Sequence, residues 1–269
     1  MRRGCDWSTD RAEFDRLLGL PYAGWSWEFK RRDEVLRKAA LKARAQRPII
    51  LTRSDGAKLI RLRRRSPEAE AFGLQYFPDP HLSALQTSVF WIPEVFSKSL
   101  DAVIEIDHLT RAHNAPLRWD AIPGEKRFLI GPGRRPKLLI ASQGYVAQLA
   151  IEERALPVPQ AMFISIRLGA KHLRSENLKP LGEFARFCEG ARVAEHPLRG
   201  YSPETLRDAL IALDGHLAGA SQRRIAEEIF GADLVAGDWA SGVKSYKSRT
   251  RRLIRKGVDL MTTGYRDLL

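Results

Sequence analysis

From Ser241 to Gly257 the chain reads Ser-Gly-Val-Lys-Ser-Tyr-Lys-Ser-Arg-Thr-Arg-Arg-Leu-Ile-Arg-Lys-Gly, in which seven of 17 residues are basic and none is acidic. The chemistry such a segment offers is recognition of a polyanion. At helical spacing Val243, Tyr246 or Thr250, Leu253 and Ile254 share one face, and Lys244, Lys247, Ser248, Arg251 and Arg255 share another. A merely solvated basic helix is the plain alternative, but such a surface normally mixes its charges. An apolar seam on one side with unbalanced Lys, Arg and Ser on the other suits the major groove of DNA. The early residues then reach base edges and the later arginines meet phosphates. Arg serves both tasks because its planar fork bonds bidentately to guanine or to phosphate.

The segment before it strengthens that reading. Ser221 is a good helix N-cap, and Arg224 stands where the acid of a capping box would be, so a simple cap is expected. Ile225, Ala226, Ile229 and Phe230 form an apolar stripe, Ala226 is small enough for a close helix approach, and Gly231 stops the helix. This is the pattern of the first, positioning helix of a helix-turn-helix, with the stretch from Asp233 to Trp239 expected as the connection. The candidate DNA-contacting residues are Ser221, Gln222, Arg223 and Arg224 at the start of the first helix. On the second they are Lys244, Ser245, Tyr246, Lys247, Ser248, Arg249, Arg251, Arg252, Arg255 and Lys256.

Other residues that could do chemistry are less well placed. His81, His108, His113, His172, His196 and His216 show no ligand spacing with one another or with the cysteines. No metal and no cofactor is therefore expected. Asp107-His108 has no nucleophile beside it. Gly131-Pro132-Gly133 with Arg134 and Arg135 lacks the Gly-Lys-Ser/Thr ending of a phosphate loop and reads as a hairpin turn. Tyr265 with Arg251, Arg252 and Arg255 imitates part of a tyrosine recombinase, but no His lies within a few residues of those arginines. The expectation is a protein that is not an enzyme.

Composition agrees. The 269 residues carry 45 Lys and Arg against 32 Asp and Glu, a net charge of +13, which draws a protein toward polyanions without specifying its fold. From Glu28 to Arg65 there are 14 basic and 4 acidic residues, so the N-terminal half holds much of the excess. The run Arg61 to Arg65 reads equally as an exposed sheet face or as a contact to DNA backbone. Cys5 and Cys188 are the two cysteines and cannot form a four-thiolate zinc site; free thiols in a reducing cytosol are expected. Polar sequence follows Met1–Trp7 and no stretch approaches about 18 apolar residues. A cytoplasmic protein with no membrane contact follows.

The length suggests two domains, or one with an appended module. The elements that must hold these residues fall into three textures: an N-terminal aromatic helical domain over 1–46, a β-rich middle over 47–170 and a C-terminal helical domain over 171–269. The fold class is α+β. In the first region a helix capped by Ser8 or Thr9 runs through Leu18, and a basic helix spans about Glu28 to Gln46. The aromatic cluster Tyr22, Trp25, Trp27 and Phe29 is either a small core or a partner surface. In the middle, strands are predicted near Lys58–Arg64, Gly73–Tyr76, Val89–Ile92, Ala102–Ile106, Arg127–Ile130, Leu138–Ala141, Ala147–Glu152 and Phe163–Arg167. The turns at Gly131-Pro132-Gly133 and Gln143-Gly144 join a hairpin meander. In the last region helices are predicted over Asn177–Glu189 and after Ser202, ahead of the two described above.

The segments Ser221 to Gly231, Asp238-Trp239, Lys247 to Gly257 and Gly264-Tyr265-Arg266-Asp267-Leu268-Leu269 together resemble the RovC-type DNA-binding domain. Trp7 and the run Gly24-Trp25-Ser26-Trp27-Glu28-Phe29-Lys30-Arg31-Arg32 resemble the short aromatic domain that often precedes it. The middle is only loosely similar, through Val89 to Glu94. The resemblance implies a transcription activator that binds double-stranded DNA as a homo-oligomer. By elimination, the middle region is expected to mediate oligomerisation or contact with the transcription machinery, RNA polymerase. Its relatives include activators of type VI secretion genes, excision activators on integrative and conjugative mobile elements, and small antiactivators that sequester the activators. Lys244-Ser245-Tyr246 departs from the usual pattern, which implies an operator of this protein's own. An antiactivator would be expected to lack the basic helix or the aromatic domain, and both are present. A replication initiator built on winged helices is a further, weaker alternative.

Overall fold

Alternating and continuous apolar runs in the middle of the chain fold as one eight-stranded mixed sheet, and the periodic segments at both ends fold as helices, giving an α+β protein. The computed structural model describes residues 11–106, 117–132, 135–142, 144–151, 161–167, 175–193, 198, 200–241 and 245–269. Cys5, the Ser8 and Thr9 caps, Asp107-His108 and Lys244 lie outside them. In chain order the helices are α1 (Arg11–Asp15), α2 (Tyr22–Lys30), α3 (Glu34–Lys42), α4 (Pro67–Glu70), α5 (Ser175–Cys188), α6 (Pro203–Leu217), α7 (Gln222–Phe230), α8 (Ala232–Ser241) and α9 (Ser245–Thr262). The strands are β1 (Ile49–Thr52), β2 (Lys58–Arg61), β3 (Ser99–Ile106), β4 (Leu117–Arg118), β5 (Glu125–Ile130), β6 (Lys137–Ser142), β7 (Tyr145–Ile151) and β8 (Ala161–Arg167).

Two compact units form, and they do not follow chain order. The helical unit gathers described residues within 1–34, 83–85 and 196–268; the sheet unit takes those within 35–82 and 86–195, with Leu269. Among the described residues no helix is long and apolar enough to cross a membrane.

In the sheet unit the strand order is β1-β2-β5-β6-β7-β3-β8-β4. The expected meander is present: β5 pairs with β6 and β6 with β7, both antiparallel, while Gly133, Arg134 and Gln143 of the expected turns lie outside the described residues. All seven residues of β7 are buried, and Tyr145, Ala147, Leu149 and Ile151 on one face share a core with Phe184 and Phe187 of α5, the latter ring 4.6 Å from that of Tyr145. Two expected strands are corrected. Gly73–Tyr76 and Val89–Ile92 meet only in an isolated bridge, Leu74 to Trp91. Side-chain amides supply partners there, since Gln75 and the buried Gln148 both donate through Nε2 to the Trp91 carbonyl, at 3.2 and 3.0 Å. The β1 and β4 strands had no counterpart among the predicted ones.

In the helical unit α6 lies against α9 with Gly257 at the crossing. A Cβ placed there would sit 2.7 Å from the Ala209 carbonyl oxygen and 2.9 Å from the Leu213 Cβ. Only glycine permits that approach. Leu206, Ala209, Leu210, Leu213 and Leu260 form the core with Leu17, Trp25 and Phe29. The aromatic cluster is therefore core rather than partner surface: Trp25, Trp27 and Phe29 are fully buried. Tyr22 is partly exposed, and its hydroxyl accepts the Leu198 N–H at 3.0 Å.

The expected continuous helix over Glu28–Gln46 is corrected to two, broken at Arg31–Asp33. The break follows from the ion pairs around it. Glu28 is buried and accepts from Arg31 at 2.7 Å, from Arg32 at 3.0 Å and from the Ala84 N–H at 2.7 Å. Arg32 also forks onto Asp214 of α6 at 2.5 and 2.7 Å. Burial opposes the Arg32 charge, but Asp214 and then Glu28 more than offset it, so the guanidinium is held above its ordinary range.

Candidate nucleic-acid interface

The first element of the interface forms as its sequence dictates. The Ser221 Oγ accepts the Arg224 N–H at 3.2 Å, the simple cap expected of it. Ile225 and Ile229 are buried against Ile211 and Ala212 of α6, Ala226 is fully buried, and Gly231 leaves the helix at φ +94°. Gln222, Arg223 and Arg224 are exposed, but Arg223 lies 3.0 Å from Glu227 and Arg224 3.8 Å from Glu228. The positive charge of this helix face is thereby partly balanced, although exposed pairs of this kind contribute little to stability.

The connection does not form as expected. Asp233–Trp239 lies inside α8, a helix of 10 residues that begins directly after Gly231 and buries Val235. Gly231 therefore joins two helices rather than opening a loop. The sequence does carry a signal for this: Leu234 and Val235 follow Ala232 and Asp233, a helix start with an acid in its first turn.

Helix α9 then runs 18 residues, about 27 Å, and continues past Gly257 to Thr262. Its inner side holds Thr250, Gly257 and Leu260, all buried, with Leu253 and Ile254 packed partly against α6 and α7. The buried Thr250 hydroxyl donates to the Tyr246 carbonyl at 2.8 Å, which removes the cost of an unpaired polar group. Tyr246 is half-buried with its ring 5.0 Å from that of Phe230.

The basic side chains divide into three kinds. Lys256 is held inward: its Nζ donates to the Gly200 carbonyl at 2.6 Å and sits 4.5 Å from the Tyr201 ring centroid. Arg249 sits over the Phe230 and Tyr246 rings. Lys247, Ser248, Arg251, Arg252 and Arg255 are exposed, and among the described residues none of these four cations is ion-paired. Lys247, Arg251 and Arg255 follow one another at every fourth residue, a straight stripe along the outer side of α9. Ser245 begins the helix; its side chain, like Lys244, lies outside what is described.

Beside this stripe is a shallow cleft absent from the sequence expectation. Arg249, Arg252 and Lys256 line it together with Thr205, Asp208 and Phe230. Asp208 is already engaged by Arg207 at 2.8 Å, so the cleft presents net positive charge. Helix α9 itself is about as wide as the major groove, roughly 10–12 Å.

Residues 164–269 match the family model described as the DNA-binding domain of type VI secretion transcription factors, the RovC type. The C-terminal region is similar to the RovC-type DNA-binding domains. No curated protein matches the chain. The RovC-type match spans α5 through α9, and so includes every residue of the stripe and of the cleft. DNA is thus a partner of this protein.

Proposed function

We propose that the protein is a sequence-specific transcription activator that reads double-stranded DNA with α9. The observation that carries this reading is the outer side of α9, where Lys247, Ser248, Arg251, Arg252 and Arg255 are exposed without carboxylate partners among the described residues. In this reading α9 lies in the major groove, its first residues meet base edges, and Arg252, Arg255 and the cleft cations meet phosphates. Helix α7 acts as the positioning element of a helix-turn-helix whose two main helices are separated by α8. Its capped N-terminus, with Gln222, Arg223 and Arg224, approaches the backbone. Such activators work as symmetric oligomers on repeated half-sites, so a homo-oligomer that contacts RNA polymerase in the cytoplasm is part of the proposal.

The proposal is also that the protein is no enzyme. Tyr265, the residue a recombinase would need as nucleophile, is 3% exposed, with the Lys30 ammonium 4.7 Å from its ring centroid. Arg266 donates to its hydroxyl at 3.1 Å. A phosphodiester has no access to an oxygen so enclosed, which supports a binding role.

The test is a promoter fusion read with and without the protein. Transcription from a promoter it binds is expected to rise severalfold, and to fall back when Arg251 and Arg255 are both changed to Ala. Occupied DNA with unchanged or lowered transcription would reject activation.

A further inference from the structure

Residues 35–65 hold eleven Lys and Arg and a single carboxylate, Asp55, so this one segment carries +10 of the chain's net +13. It belongs to the sheet unit and lies wholly outside the 164–269 match. The DNA-binding domain does not account for it. An exposed surface ordinarily intersperses both signs, and a concentration of one sign works against the compact state.

The fold organises this charge. Leu36 of α3, fully buried, and the buried Leu62, whose N–H donates to the Ile130 carbonyl at 2.8 Å, anchor the two ends of the segment. Around those anchors Arg44, Arg61, Arg63 and Arg64 are exposed, and among the described residues none has an ion pair. Arg37, Arg47 and Arg64 converge on one cleft. Its carboxylate is Asp79, which takes up Arg47 at 3.1 Å and leaves the balance positive. Arg65 is already spoken for by Glu70, whose two carboxylate oxygens accept from its Nε at 2.9 and 3.0 Å.

We propose that this surface is a second DNA contact, which holds the phosphodiester backbone of duplex DNA without reading its sequence. The cations involved are mostly arginines, whose fork matches phosphate oxygens bidentately. Cations on a surface without base-edge geometry give affinity and salt dependence rather than specificity. The C-terminal domain brings DNA to the same molecule, so even weak phosphate contacts are met at high effective concentration. The proposal stands apart from the role of α9: it concerns affinity for any duplex, whereas α9 concerns preference among duplexes.

The test uses the full chain on a random-sequence duplex of about 40 base pairs, titrated over a salt series. Three proteins are compared with the wild type: Arg61→Gln/Arg63→Gln/Arg64→Gln, Arg251→Ala/Arg255→Ala, and a control of equal charge loss, Lys179→Gln/Arg186→Gln/Arg192→Gln. The arginine triple variant is expected to bind about tenfold or more weakly at low salt. Its plot of log affinity against log salt should be shallower by roughly 2–3, since each phosphate contact contributes about 0.9. It should keep the wild-type preference for an operator over random DNA, and the α9 variant should lose that preference. An unchanged slope, or an equal drop in the control, overturns the proposal. So does an unchanged duplex slope with lost binding to phosphatidylserine vesicles or to single-stranded RNA, which would assign the surface to a membrane or to RNA.

Discussion

The Arg249 guanidinium lies 4.6 Å from the centroid of the Phe230 ring and 5.7 Å from that of Tyr246, so one arginine spans the last residue of α7 and the first turn of α9. Neither helix would fix this side chain alone. The two aromatic rings form a platform that holds a cation in place beside Arg252 at the rim of the cleft.

Removing the platform should therefore affect DNA more than folding. Phe230→Leu keeps an apolar residue in the α7 stripe but takes the ring from under Arg249. A cation–π contact at a partly exposed site contributes about 0.5–1 kcal/mol, so affinity for operator DNA should fall roughly two- to fivefold. Arg249→Ala should fall further, because it also removes the charge. Undiminished binding by both variants in a fluorescence anisotropy titration would show that Arg249 serves only to hold α7 on α9.

Gly257 makes a prediction of opposite kind, on stability. Ala is the better helix former by about 1 kcal/mol, so propensity alone favours Gly257→Ala. The crossing decides otherwise, since the new Cβ would meet the Ala209 carbonyl oxygen at 2.7 Å and Leu213 at 2.9 Å. Overpacking of this order costs about 1–3 kcal/mol. Urea denaturation should show a net loss of stability for Gly257→Ala and a larger one for Gly257→Val. A stabilised Gly257→Ala would mean that α6 and α9 can part at little cost.

Cys188 bears on reactivity. Burial, with some help from Glu189, pushes its thiol up to about 11. Raising an acid's pKa favours the neutral form in the fold, so the reactive thiolate is scarce at neutral pH and accumulates only as pH approaches that value. In a Cys5→Ser background, iodoacetamide labelling of the native protein should be slow at pH 8 and accelerate steadily up to pH 10. Labelling at pH 8 as fast as in the urea-unfolded chain would contradict the burial of the thiol.

Local chemistry made much of the helical C-terminus legible. The Ser221 and Ser202 caps, the α7 stripe and the stop at Gly231 depend on neighbours a few residues away, and each forms as its residues require. The meander of β5, β6 and β7 was legible for the same reason, because glycine turns set antiparallel pairing between consecutive strands. What was not legible depends on distant partners. β1, with Ile49, Ile50 and Leu51 exposed, lacks the alternation of a half-buried strand and is defined only by pairing with β2. The break between α2 and α3 answers to Asp214, 182 residues from Arg32. Helix α8 has a start signal in Ala232 to Val235, but Gly231 just before it and Gly237 within it make Ala232 to Ser241 read as a connection.

The same division runs through the interface. That Lys247, Ser248, Arg251 and Arg255 face outward followed from the period, and all four are exposed; Arg252, exposed beside them, was not on that periodic face. That Lys256 turns inward to Gly200, and that Arg249 lies on Phe230, depend on segments 56 and 19 residues away and have no periodic signature.

The central claim, that the outer side of α9 reads DNA, is tested most directly by titrating the purified protein onto DNA upstream of its own genetic neighbourhood at two salt concentrations. The Arg251→Ala/Arg255→Ala variant is measured beside it. The account predicts tight wild-type binding that survives competitor DNA. It also predicts a variant that loses this binding and whose salt dependence is shallower by roughly 1.8, two contacts at about 0.9 each. Full affinity in the variant, or equal and weak binding of the wild type to every fragment, would contradict it.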